Sequence, residues 1–217
     1  MQESEARTAI AIGIELVDRI AARDGLDVLG IGEMGIGNTT AASAVVAALT
    51  GLPVDQLTGR GTGVDDAVLA HKVSVIERAL AVNRPDPSDP VGVLAAVGGL
   101  EIAGLVGLII GAAARQVPVV LDGFITGAAA LAAVALEPAI APRIIASHRS
   151  PEPGHAVVLD RLGLRPYLDL GMRLGEGSGA ALGIGLLDAA CRIRDEMATF
   201  ASAGVSGPAV IEVVVGE

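Results

Sequence analysis

Apolar positions recur along this chain at both helical and strand spacing, and their alternation predicts a succession of helices and short strands. Residues 3–22 carry Ile10, Ile14, Val17 and Ile20 or Ala21 on one helical face, predicting an amphipathic first helix. A short apolar run, 28–31, reads as a buried strand; a glycine-rich segment follows it, and 40–50 reads as an Ala-rich helix. Leu52-Pro53-Val54-Asp55 predicts a turn leading into 56–58, and Gly59-Arg60-Gly61-Thr62-Gly63 predicts a second glycine loop. A helix is expected from Asp65 or Asp66 through Lys72 to about Val82, its aspartates complementing the dipole of the first turn.

Pro85, Pro87 and Pro90 make 83–90 a loop, beyond which 91–97 reads as a short helix closed by Gly98-Gly99. A helix over 101–114, a buried strand over 117–121 ending in Asp122-Gly123, and a helix over 125–136 come next. A strand over 144–146 runs into Ser147-His148-Arg149-Ser150, and a helix over 155–162 follows. Residues 168–170 and the loop Gly175-Glu176-Gly177-Ser178-Gly179 lead into a helix from 180 to about 200, and 209–215 reads as a last strand. Strands alternating with helices predict an α/β fold: an open, mostly parallel sheet of about five to six strands flanked by helices on both faces. The terminal helices form a helical appendage to it. The expected division is an N-terminal helix (1–26), an α/β substrate-binding domain (27–180), and a C-terminal helix and tail (181–217).

With 217 residues, 52% of them apolar, the chain can bury a substantial core. Aromatic residues are limited to Phe124, Tyr167 and Phe200, which leaves little for base stacking, and a net charge of −10 repels phosphate backbones. Nucleic acid is therefore not an expected partner. The mean hydropathy of +0.61 raises the question of a membrane. The longest apolar runs, 102–114 and 123–136, stop at Arg115 and Glu137, short of the roughly 18–20 residues that a spanning helix needs. They are expected to be core helices. The acidic start, Met1-Gln2-Glu3-Ser4-Glu5, resembles neither a signal peptide nor a basic transit sequence, and the single Cys191 fits a reducing cytoplasm.

The chemistry concentrates where strands give way to helices. Gly32-Glu33-Met34-Gly35-Ile36-Gly37-Asn38-Thr39-Thr40 leaves a strand and enters a helix, so backbone N–H groups at that helix start can receive a phosphate beside the Glu33 carboxylate. It is neither a Walker A loop, which requires Lys before Ser or Thr, nor a G-x-G-x-x-G fingerprint. Glu33, Asp122, the segment 147–150 and Glu176 all follow strands or adjoin glycine loops. In an open sheet, such positions converge on the crevice outside the carboxyl ends of the strands. From the residues alone, the expectation is an enzyme acting on a phosphorylated substrate with one or two carboxylates.

Structural readings stand beside several of these. Glu33 can simply complement a helix dipole, Asp122 can cap the helix that begins near Gly123, and Lys72 can be a solvated lysine. Asn38, Thr39 and Thr40 are good capping residues, a role compatible with phosphate contact. His148, Glu152 and His155 have spacings that suit metal ligation on a helix, but Pro151 and Pro153 rule out a regular helix there. Structural or substrate-facing roles are expected for these histidines and for His71.

Four separated segments together resemble one family: 32–42, Val119-Val120-Leu121-Asp122-Gly123-Phe124, Ser147-His148, and 172–181, which begins Met172-Arg173-Leu174-Gly175-Glu176. They are similar, in order and spacing, to the nicotinate-nucleotide:dimethylbenzimidazole phosphoribosyltransferases of cobalamin nucleotide-loop assembly. The resemblance covers the C-terminal two-thirds of the family. The family's earlier part, which contributes to a small helical domain and walls the benzimidazole pocket, has no counterpart before Glu3, so 1–26 stands as a remnant of that domain.

The resemblance implies transfer of the phosphoribosyl group of nicotinate mononucleotide to 5,6-dimethylbenzimidazole, giving α-ribazole 5′-phosphate and nicotinate with inversion at C1′. Glu176 would be the general base, its pKa raised by partial desolvation between glycines and an apolar helix. Glu33 and Lys72 would lie near the substrates, as would Gly35, Gly37, Asn38, Thr39, Asp122, Gly123, Ser147, Leu174, Gly175, Gly177 and Ser178. No metal or cofactor is called for, and a homodimer is implied. Two other readings stand: a shortened, noncatalytic nucleotide-binding relative, and a dinucleotide-dependent oxidoreductase. The oxidoreductase lacks both the glycine fingerprint and its spaced acidic residue.

Overall fold

In the computed structural model, residues 1–61, 63 and 65–205 are described. Helix α1 (Glu3–Asp24) opens the chain, its start held by the Gln2 N–H donating to Glu5 Oε2 at 2.6 Å. Strand β1 (Leu29–Ile31) leads through the first glycine loop into α2 (Thr39–Thr50), which ends on the left-handed Gly51. Helices α3 (Val54–Leu57), α4 (Asp66–Asn83), α5 (Pro90–Val97) and α6 (Leu100–Ala114) follow. Strand β2 (Val119–Leu121), helix α7 (Phe124–Leu136), a 3-10 helix (Pro138–Arg143), strand β3 (Ile144–Ala146), helix α8 (Pro153–Leu162) and helix α9 (Ser178–Glu196) complete the order.

The three strands pair in parallel in the order β1-β2-β3, with Gly30 opposite Val120 and Val120 opposite Ile145. Neighbours in this register project to the same side of the sheet. Val119 and Leu121 point into the main apolar core. Val120 faces the other way, where a Cβ added to Gly183 of α9 would stand 3.1 Å from its Cγ1. Both faces of the sheet are therefore covered by helices. The core itself is built from small side chains: Ala128, Ala129, Ala130, Ala132 and Ala133 of α7 are all fully buried. Such residues let helices approach closely. One such close approach is between α1 and α6, where Gly13 lies over Gly104, Gly107 and Leu108.

Helix-rich α/β architecture with a parallel sheet is thus found as expected, but the sheet is smaller. Three strands, of three residues each, occur among the described residues rather than five to six. The strands take up the last residues of the runs 28–31 and 117–121 and the whole of 144–146. Residues 168–170 form no strand; only an isolated parallel bridge joins Leu168 to His148. The turn expected at 52–55 is instead the entry to α3, with Pro53 at its N-cap, Asp55 in the first turn, and Val54 and Leu57 buried three residues apart. Helix α9 stops at Glu196 rather than near 200. The strand expected at 209–215 lies outside the described residues.

Two compact units are distinguished. The first, Met1–Ile184, contains the sheet, the core and every residue of the site described below. The second, Gly185–Glu217, contains the later turns of α9, where Arg192 Nε donates to Asp188 Oδ2 at 3.0 Å, and the exposed Cys191. No described helix is long and apolar enough to cross a membrane.

Candidate functional site

The loops that leave β1, β2 and β3 meet at the carboxyl edge of the sheet, as the topology of a parallel sheet requires. A cleft of about 620 Å³ opens there, bordered by Glu33, Gly59, Asp122, Gly123, His148, Glu152 and Leu174. A second, of about 550 Å³, is bordered by Gly30, Gly32, Glu33, Met34, Glu176 and Ala180, so Glu33 and Met34 border both. A third, of about 350 Å³, lies against Gly35, Gly37, Thr39, Arg60, Gly61 and Lys72.

Within the first glycine loop, the Glu33 carboxylate binds its own backbone. Its Oε2 accepts from Gly35 N at 2.5 Å and from Asn38 Nδ2 at 2.7 Å. Asn38 donates its Nδ2 to Glu33 while its Oδ1 makes no capping bond, so α2 begins without a side-chain cap. The N–H groups of its first turn are then available to an anion. Next to them, Lys72 Nζ donates to Thr39 Oγ1 at 2.8 Å and to Gly59 O at 3.1 Å. Half-buried, Lys72 has its pKa lowered by loss of solvation, against a smaller opposing pull from Glu152. That carboxylate also accepts from Gly61 N at 3.0 Å, tying the second glycine loop to the loop beyond β3. Arg60 pairs with Asp66 across the start of α4.

Glu176 sits in a left-handed turn. Its φ is +59°, between Gly175 at +75° and Gly177 at +79°. A non-glycine residue in this region is uncommon and costs conformational energy, and it persists only where its surroundings fix it. Here the Glu176 N–H donates to Glu33 O at 2.9 Å, and a Cβ at Gly32 would collide with the backbone of Gly177. The two glycine loops are thus in direct backbone contact. The Glu176 side chain is exposed, so the partial desolvation expected of its carboxyl is not found.

Asp122 is buried, and both of its oxygens are engaged. Oδ2 accepts from Gly177 N at 3.0 Å and Oδ1 from Gly179 N at 2.8 Å, with His148 Nε2 3.5 Å from Oδ1. Burial opposes its ionisation, but His148 and the two N–H groups outweigh this and hold its carboxyl below the usual range. Asp122 does cap a helix, though it is α9, not α7; the residue before α7, Gly123, has no side chain with which to cap. Ser147 is fully buried and donates its hydroxyl to Leu121 O at 2.6 Å, locking β3 to β2 away from the three clefts. Ser178 has a buried hydroxyl at the start of α9. Of the expected site residues, Glu33, Gly35, Gly37, Thr39, Lys72, Asp122, Gly123, Leu174, Gly175, Glu176 and Gly177 border the clefts. Asn38, Ser147 and Ser178 border none of the three clefts; Asn38 holds the Glu33 carboxylate and Ser147 ties β3 to β2.

His148, in the segment 147–150 expected at the crevice, borders the cleft there, and Glu152, Arg60 and Met34, which are not among the expected site residues, border the clefts as well. Pro151 and Pro153 argue against a helix, but not against a loop at a strand's carboxyl end, and that position was the available signal.

His155 is almost wholly buried beneath this loop, where its Nδ1 accepts from Ser150 N at 2.9 Å. Burial, aided by the charge of His148, pushes its pKa down to about 4. Because the folded value lies below the unfolded 6.5, the unfolded chain takes up a proton first, and stability falls as pH drops from 6.5 towards about 4. The full difference corresponds to roughly 3 kcal/mol. Urea denaturation at neutral pH and at about pH 4.5 should show wild type losing roughly 2 kcal/mol more than His155→Gln. Equal losses would remove His155 from the acid response.

A family model described as phosphoribosyltransferase matches residues 1–205. Among curated proteins, the nicotinate-nucleotide--dimethylbenzimidazole phosphoribosyltransferase of Roseiflexus sp. (strain RS-1) is 62% identical over 208 residues, covering 95% of this chain and 58% of the relative. The protein of the same name from Chloroflexus aggregans (strain MD-66 / DSM 9485) is also 62% identical, with the same coverage. Among solved structures, CobT from Thermus thermophilus superposes with a TM-score of 0.89 at 46% identity, covering 95% of this chain and 61% of that one. The chain thus spans 58% of the length of these curated relatives, somewhat less than two-thirds. Matched by the family model over almost its entire length, the chain belongs to this phosphoribosyltransferase family.

Proposed function

We propose that the chain carries the phosphoribosyl-transfer site for nicotinate mononucleotide and 5,6-dimethylbenzimidazole, yielding nicotinate and α-ribazole 5′-phosphate. The observation that carries this reading is Glu176, held at positive φ beside a cleft whose other carboxylate, Glu33, is already bound to its own loop. The 5′-phosphate lies at the uncapped start of α2, near Lys72 and the 59–61 loop. The exposed apolar side chains of Met34 and Leu174 suit a flat aromatic base. One benzimidazole nitrogen donates its lone pair to C1′ while the C1′–N bond to nicotinate breaks, its electron pair passing to the pyridine nitrogen. The positive ring of the donor becomes neutral, and the proton on the other benzimidazole nitrogen passes to the Glu176 carboxylate. Attack opposite the departing group inverts C1′.

Leu174, Glu33 and Asp122 border the cleft that would take the substrates, and the reading includes cytoplasmic location and a homodimer. It excludes nucleic acid and membrane as partners. Release of nicotinate from nicotinate mononucleotide, followed with and without dimethylbenzimidazole, tests it. Release is expected only with the base present, in equal amount to α-ribazole 5′-phosphate. Release without the base would mean hydrolysis, and no release at all would favour the noncatalytic relative.

A further inference from the structure

Asp122 is placed to control the loop of Glu176 rather than to touch a substrate. We infer that Asp122 is a positioning residue that fixes Glu176 by clasping the start of α9, with His148 holding Asp122 from behind. Its two carboxylate oxygens accept from Gly177 N and Gly179 N, the first of them the amide immediately after Glu176. A carboxylate so engaged, and only 3% exposed, has little capacity left for a ligand. The strain at Glu176 supplies the reason for such a clasp, because a left-handed glutamate between two glycines relaxes readily unless the chain on both sides is restrained. The Glu176 N–H bond to Glu33 O restrains it on one side; Asp122 restrains it on the other. Two further backbone features lock the arrangement. Gly32 leaves room for Gly177, and Gly179 leaves room for His148, where any Cβ would overlap the imidazole and stand 2.7 Å from Asp122 Oδ1.

This inference rests on Glu176 acting as the base, so its test includes a readout independent of turnover. Asp122→Asn presents an amide N–H₂ to one of the two backbone donors and should lower kcat on the order of 10²-fold, with KM for nicotinate mononucleotide changed by less than about threefold. Amide exchange at 177–181 should accelerate by at least about tenfold in the same variant. Asp122→Glu, which keeps the charge, should recover part of both. A raised KM with unchanged kcat and unchanged exchange would overturn the inference and make Asp122 a substrate ligand. If Asp122→Asn yields no folded protein, Gly179→Ala decides: it pushes on the Asp122–His148 pair without removing the carboxylate, and should show the same loss of kcat with KM kept. Were the wild type to release no nicotinate, the proposed function would fail while the exchange measurement still judged the clasp.

Discussion

Glu176→Gln is expected to reduce nicotinate release by roughly 10²–10⁴-fold, the usual contribution of a positioned base. Affinity for nicotinate mononucleotide should change by no more than about twofold. The substitution keeps the side chain's length and leaves untouched the bond from the Glu176 N–H to Glu33 O, which involves only backbone atoms. What it removes is the ability to take a proton. Glu33 is a poorer candidate for that step, because its carboxylate already accepts from Gly35 N and Asn38 Nδ2. Stability supplies a second signature. Glu176→Gly should raise stability by about 1 kcal/mol, since glycine tolerates a φ of +59° freely, while it abolishes turnover. Single-turnover kinetics, equilibrium binding of nicotinate mononucleotide and thermal unfolding of both variants would check this. Normal turnover by the glutamine variant would remove Glu176 from proton transfer.

Glu176 also shows what could be read from the sequence and what could not. A charged residue flanked by two glycines has no evident structural purpose, so its place beside a cleft was legible before any fold was known. The role of Asp122 was not. Its position at a strand end suggested either a ligand contact or a cap on the adjacent helix, whereas the helix it caps begins at Ser178, far along the chain. No local pattern encodes such a partner. Ser147 illustrates the same limit: a serine following a strand is sterically free to face the crevice or the neighbouring strand, and pairing with Leu121 O decides between them. Helices were legible because 3.6-residue periodicity persists over many turns. Three-residue strands offer too few positions for alternation to appear, which is why the apolar runs suggested a larger sheet than the one formed. Glu152 was legible as a residue but not as a tether, since its bond to Gly61 N joins loops whose meeting depends on the whole sheet.

The largest expected loss of stability lies away from the clefts, at Gly107. On α6, a Cβ at this position would overlap Ile10 O and stand 2.8 Å from Ile10 C and 3.0 Å from Gly13 Cα. All of these are backbone atoms of α1, so no side chain can rotate aside; the helices must separate. Gly107→Ala is therefore expected to cost about 3 kcal/mol, at the upper end of ordinary overpacking. Alanine's better helix propensity, worth up to about 1 kcal/mol, works in the opposite direction. Gly104→Ala in the same helix isolates that propensity, because its Cβ would meet only Ala9 O, at 3.9 Å. It should stabilise the chain by about 0.5–1 kcal/mol. For a chain of this size, the Gly107 variant should melt roughly 6–12 °C below wild type and the Gly104 variant slightly above it. Identical melting of the two variants would contradict the close packing of α1 on α6. Helix α6 leads directly into β2, whose carboxyl end carries Asp122, so separation of these helices should also reach the loop that holds Glu176. Gly107→Ala is accordingly expected to lose activity at temperatures well below its own melting point, and Gly104→Ala to retain it.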